Sequence, residues 1–292
     1  PFFSAANALK AGQANDIPVT VQKITPVYLE MLRNPPCGYG KHMNPCLDCH
    51  TLMFRLAGDV MKERGFDFLF SGEVLGQRPM SQTRPSLRYV EKHSGYDGHI
   101  LRPLSAKRLP ETLPEKAGMV RREELLDITG RSRKPQIRLA EAFGLTTYPA
   151  PAGGCLLTDK GYSLRLRELF DRGDNCSESA LYLLKYGRHL RLADGTKVIV
   201  GRSKQDNEDI LRYYRSGTDV LIRSDHVPGP TVLVPGGAEE DSILFAAGIC
   251  VGYSKTPKGE TATVAVVSPS ASEDVQVVGI PPTDIQHLLI LG

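Results

Sequence analysis

The pattern of apolar residues changes after Gly187. Beyond it, short β-branched runs recur at Lys197-Val198-Ile199-Val200, Asp219-Val220-Leu221-Ile222, Thr231-Val232-Leu233-Val234, 261–267 and 274–279. Runs of this kind, bounded by Gly, Pro and Asp, read as strands. Helical spacing intervenes at 205–214 and 239–251. Residues 188–292 are therefore expected to form a separate, smaller α+β module.

The preceding residues alternate differently. Helices are expected at 4–14 and 26–32, with a strand at 17–22. Residues 47–64 carry apolar side chains at 52, 53, 56, 57, 60 and 61, the period of a helix, and Gly65 ends it. Phe66-Asp67-Phe68-Leu69-Phe70 reads as a short buried strand with Ser71-Gly72-Glu73 at its C-terminal end, where open α/β sheets place ligands. Strand–helix alternation argues for a parallel, doubly wound sheet over 1–158. Further helices are expected at 121–128 and 134–143. Those at 164–171 and 179–186 fall in a helical connector, 159–187.

With 292 residues there is room for two cores. No apolar run approaches the ~20 residues of a membrane helix, and no signal peptide is visible at the start. Charge is uneven. Residues 1–187 hold 26 Lys and Arg against 20 Asp and Glu, whereas 188–292 hold 10 against 13. Within 84–138 the balance is 13 to 7, so one segment carries nearly all the excess. Such a patch attracts a polyanion such as RNA, or is simply a solvated face.

Three of the six cysteines stand out. Cys46 and Cys49 form a C-x-x-C, and Cys155 follows Gly153-Gly154. This set suits sulfur transfer or a three-ligand iron–sulfur cluster, and the plain alternative is half-buried and core thiols. Cys-x-x-Cys in a chain this long fits a reducing cytoplasm better than a disulfide framework. Cys37, Cys176 and Cys250 read as structural, and His42 and His50 could complete a small zinc site.

The order Asn44-Pro45-Cys46-Leu47-Asp48-Cys49-His50, Ser71-Gly72-Glu73-Val74, Leu101-Arg102-Pro103-Leu104-Ser105-Ala106-Lys107, Gly153-Gly154-Cys155 resembles the tRNA 2-thiouridylase branch of the PP-loop ATP pyrophosphatases. The resemblance covers about 1–158 and implies a Rossmann-like domain. It implies that Cys49 pairs with Cys155, one carrying persulfide sulfur and the other resolving it. Cys46 stands where the family often has Asp, which brings the chain nearer to PP-loop thiolases that hold a [4Fe–4S] cluster on three Cys. On that basis Cys46, Cys49 and Cys155 are the expected ligands, with zinc as the alternative occupant. Ser71, Gly72 and Glu73 resemble the family's Thr-Gly-His strand end beside ATP and Mg²⁺, with Glu in place of His. The family's Ser-Gly-Gly-x-Asp-Ser loop has no counterpart here. It would lie upstream of Pro1, so the domain is expected to be truncated and to bind ATP poorly.

A second resemblance spans the module after Gly187. Val198-Ile199-Val200-Gly201-Arg202, Asn207-Glu208, His226-Val227-Pro228-Gly229-Pro230, Ala246-Ala247 and Tyr253-Ser254 resemble the NFACT RNA-binding domain. Together the two imply a cytoplasmic tRNA-thiolation enzyme. Its partners would be tRNA and a sulfur donor such as a cysteine desulfurase or sulfur carrier, with a homodimer left open and no membrane. Arg102, Lys107, Arg131, Arg133 and Lys134 are the expected phosphate contacts, each also readable as ordinary surface charge. The alternatives are a non-catalytic RNA-binding protein with a structural metal, and a PP-loop enzyme acting on a small sulfur metabolite.

Overall fold

The computed structural model describes residues 2–290 except 146, 147, 149–154 and 175. The chain divides into two compact units, 3–158 and 159–292, the second taking in residues 1 and 2.

The first unit is mainly helical. Its helices are α1 (Ala6–Ala14), α2 (Thr25–Arg33), α3 (Cys46–Arg64), α4 (Arg84–Ser94), α5 (Leu113–Lys116) and α6 (Lys134–Ala142). Proline in the first turn starts α2, α4, α5 and α6, where its missing N–H costs nothing. Gly65 closes α3 in the left-handed conformation, φ 70°, and its N–H returns to the carbonyls of Met61 and Lys62. Two short strands, β1 (Leu69–Phe70) and β2 (Ile100–Leu101), pair in parallel around α4. They deliver Ser71-Gly72-Glu73 and Arg102 to the same end of the pair.

Here the sequence expectation needs correction. The parallel α/β element is present, but it is one pair of two-residue strands, not a doubly wound Rossmann-like sheet. Residues 17–22 form no strand, and Ile17 and Val21 are mostly exposed. The Phe66–Phe70 segment was expected to be buried, yet Phe66 and Phe70 are 60% and 73% exposed. Among the described residues β1 pairs with β2 alone, and neither Phe66 nor Phe70 is covered by a packed layer.

The second unit opens with α7 (Lys160–Asp171) and α8 (Glu178–Leu183), capped by the side chains of Asp159 and Ser177. A six-stranded sheet follows, built from β3 (Arg188–Arg191), β4 (Lys197–Val200), β5 (Val220–Arg223), β6 (Val232–Val234), β7 (Thr261–Val267) and β8 (Ser272–Val278). Its order is β3-β4-β6-β5-β7-β8, antiparallel throughout. Helices α9 (Lys204–Leu211) and α10 (Glu240–Gly252) complete the α+β module.

Alternation separates the two faces. Leu190, Val198, Val200, Val220, Ile222, Val232 and Val234 meet the apolar residues of α10. Ile199, Leu221 and Leu233 meet Leu183 of α8 and Ile210 of α9. With both faces covered, β6 is apolar at every position, as a central strand should be. The edges differ. On the outer strand β8, Ser272, Glu273 and Asp274 are exposed. Beside β3, Leu289 bridges Leu190 and Ile290 N–H bonds the His189 carbonyl. Among the described residues no helix is long and apolar enough to cross a membrane.

Candidate functional site

Cys46 and Cys49 occupy the first turn of α3, three residues apart, and so share one helix face. The segment before the helix is pinned. The buried Asn44 donates from Nδ2 to Cys46 Sγ at 3.3 Å, and Met43 N–H bonds the Leu157 carbonyl at 3.2 Å. The latter bond brings the 155–158 turn alongside, with Leu157 fully buried. Cys155 thereby joins the two cysteines more than a hundred residues earlier, with Cys46 and Cys155 bearing on Cys49 and Cys46 on Cys155. The phenol of Tyr28 on α2, itself buried, lies close enough to Cys49 to bear on its thiol.

Burial pushes the Cys49 thiol up to about 11; the Tyr28 phenol opposes this, and Cys155, Cys46 and Asp48 add to it. Cys155 is raised too, by burial and by Cys46 against the Leu157 N–H. A helix N-terminus ordinarily lowers a thiol pKa, so desolvation and mutual repulsion win here. Among the described residues all six cysteines are free, and no three His, Cys, Asp or Glu side chains are placed to share a metal ion. The three thiols are neighbours in the first unit.

Beside them lies a buried ionic network. His50, the residue after Cys49, donates from Nδ1 to Glu73 Oε1 at 2.8 Å. Arg102 Nε meets Glu73 Oε2 at 2.9 Å, Arg102 Nη1 pairs with Glu91, and the Phe54 ring lies 6.0 Å from the guanidinium carbon. Burial would raise the Glu73 carboxyl, but His50 and Arg102 hold it below its usual range. Ser71 Oγ donates to Glu73 Oε2 at 3.2 Å and accepts from Glu73 N–H, so the Ser71-Gly72-Glu73 turn is closed on itself. Arg102 was expected at an RNA backbone. Its side chain is 1% exposed, and with two carboxylates around it there is no face for a phosphate.

The other expected contacts lie on the surface. Lys107 is exposed and donates to the Glu123 carbonyl. Arg131 and Lys134 are exposed, Arg133 is half-buried, and all three gather at the start of α6.

In the second unit a cleft of about 420 Å³ is lined by Arg188, Arg202, Ser203, Lys204, Asn207 and Tyr253. Arg202 and Lys204 are exposed at the start of α9, and Arg188 stacks over the Tyr253 ring at 4.7 Å. Asn207 fixes the cleft wall: its Oδ1 accepts from Thr231 N–H at 2.9 Å, and its Nδ2 donates to the Gly229 carbonyl. A Cβ at position 201 would fall 1.9 Å from Asn207 Oδ1, so only Gly201 fits there. Helix start, basic side chains and an aromatic face together suit a phosphate with an adjoining base. Tyr28 was not singled out from the sequence, because an aromatic on an amphipathic helix looks like core.

Residues 187–289 match the family described as NFACT protein RNA binding domain, so an RNA-binding domain of the NFACT type is present there. No curated protein matches the chain. Among solved structures it is similar to the C-terminal part of the fibronectin/fibrinogen-binding protein from Streptococcus suis. The identity is 14%, covering 83% of this chain and 94% of that one, with a TM-score of 0.32.

Proposed function

We propose that the chain is an RNA-binding protein that transfers sulfur to a base of the RNA it holds, with tRNA as the substrate class. The observation that supports RNA is the NFACT-type domain at 187–289 with its basic, aromatic-walled cleft. Sulfur transfer is the use we assign to Cys46, Cys49 and Cys155. In this step a sulfur donor leaves a persulfide on Cys49, and ATP converts the base carbonyl oxygen to an adenylate, with pyrophosphate as the leaving group. The terminal sulfur attacks the base carbon, the C–O bond breaks and AMP leaves. Cys155 then attacks the Cys49 sulfur, releasing the thiolated base and leaving a Cys49–Cys155 disulfide that an external thiol reduces.

A second reading is favoured by one observation. The Cys49 thiol, pushed up to about 11, is protonated at neutral pH and a poor nucleophile. Under that reading the cysteines are structural and the protein only binds RNA. Nucleoside mass spectrometry decides between them, on tRNA incubated with the protein, ATP and a persulfide donor. A thiolated nucleoside that disappears in Cys49→Ser and Cys155→Ser supports transfer. RNA binding by a protein that takes up no persulfide on Cys49 and forms no Cys49–Cys155 disulfide supports the second reading.

A further inference from the structure

The second unit holds another cavity, of about 640 Å³, under the β3–β4 hairpin. In the antiparallel register His189 faces Ile199 and Arg191 faces Lys197, so strand alternation sends all four side chains to one side of the sheet. That side is opposite the α10 core, and it is why β3 reads as Arg-His-Leu-Arg rather than as an apolar run.

Two groups in this cavity have unused hydrogen-bonding capacity. His189 is 1% exposed, and its Nε2 lies 2.9 Å from the Tyr186 carbonyl and 3.2 Å from that of Leu183. Carbonyls only accept, so Nε2 carries the proton and Nδ1 is a bare acceptor. That Nδ1 is buried and has no partner among the described residues. Lys197, 9% exposed, gives one N–H to Glu168 Oε2 at 2.7 Å and keeps two more. The Lys197 charge is felt at the imidazole, and with burial it keeps His189 neutral.

The charges inside are already balanced, which argues against an anion. Glu168 takes Lys197 and Arg191, and Asp174 takes Arg191 again. What remains is a neutral acceptor and a donor in one cavity walled by Leu183, Leu184 and Ile199. A flat neutral group with a donor beside an acceptor is the complement. The edge of every nucleobase has that pattern, and enzymes read unstacked bases in this way, with apolar walls on the faces.

We propose that this cavity is a nucleobase pocket, with His189 Nδ1 and Lys197 reading the base edge. The inference rests on the RNA reading of 187–289, and it adds a site separate from the Arg202–Tyr253 cleft. The source of the base, free nucleotide or RNA, is left to the test.

The experiment is nitrogen-15 NMR on the whole chain labelled at histidine. AMP, CMP, GMP and UMP are added in turn to millimolar concentration. Ribose 5-phosphate follows as a control without a base, and then a short single-stranded RNA. The expected result is that at least one nucleotide moves the His189 Nδ1 resonance and ribose 5-phosphate does not. The RNA repeating that shift would assign the pocket to an RNA base; only the free nucleotide doing so would make it a nucleotide site. Lys197→Met should weaken the nucleotide by about tenfold, the loss of one charged hydrogen bond, without changing the salt slope of RNA binding. An unmoved Nδ1 with every nucleotide and with the RNA overturns the pocket while salt-dependent RNA binding stands. A nucleotide shift in a chain that binds no RNA overturns the function proposed above and leaves the pocket.

Discussion

Glu73 shows how residue identity and residue role part company. Its place after β1 suggests a ligand-facing carboxylate, but Arg102, His50 and Ser71 all converge on it. Removing one partner of a buried ion pair leaves the other charge uncompensated. Glu73→Gln should therefore destabilise the first unit by about 3–5 kcal/mol at neutral pH. Against burial, His50 and Arg102 hold the folded Glu73 carboxyl below its ordinary value of 4.5. The stabilisation is complete above 4.5 and is lost as pH falls through the lower folded value. Urea titrations should show the gap between wild type and variant closing in acid, and a constant gap would refute the pairing. The three cysteines were legible because their spacing is a motif. Arg102 was not, because its partners Glu73 and Glu91 lie 29 and 11 residues away and look like any other acids in a charged stretch.

Among the elements, some helices announced themselves through caps and period, whereas the helix expected at 121–128 is only a 3₁₀ turn at Arg122–Glu124 and α4 was not expected. The 46–64 helix begins and ends within a residue of where Pro45 and Gly65 suggest. Strand β3 did not, since Arg188, His189 and Arg191 leave it a single apolar residue, Leu190. The 17–22 segment has strand-forming residues but pairs with nothing, and β propensity without a neighbour makes no strand. Local chemistry does decide the turn from β4 into α9. There Gly201 lets the chain pass against Asn207, whose amide holds the 229–231 strand entry. Gly201→Ala should push Asn207 aside and cost about 2–3 kcal/mol. Thermal melts would measure the loss, and hydrogen exchange should localise it to Thr231 N–H. Faster exchange spread evenly over the unit would count against this account.

At the scale of the whole molecule, net charge misleads. The excess of positive charge in 84–138 suggested a broad RNA-binding face. Yet Arg88, Arg102, Arg108, Arg121 and Arg122 are ion-paired within their own unit. Among the remaining basic residues of the segment, Arg131, Arg133 and Lys134 lie together at the start of α6. RNA binding by Arg131→Ala with Arg133→Ala should lose about 0.7–0.9 of salt slope for each phosphate contact removed. Arg108→Ala should leave the slope unchanged, and equal losses in both variants would show that pairing does not shield these residues.

The six-stranded sheet has a consequence beyond its own stability. Helices cover its two faces, acidic and hydroxyl side chains mark one border, and residues 289–290 run along the other. Residues 289–290 thus shield the β3 border, and exposed Ser272, Glu273 and Asp274 guard the β8 border with polar side chains alone. What this scaffold offers a visitor is its rims, where strands turn into loops and helix starts. Any change of specificity would have to be written into those turns, leaving the strands beneath them as they are.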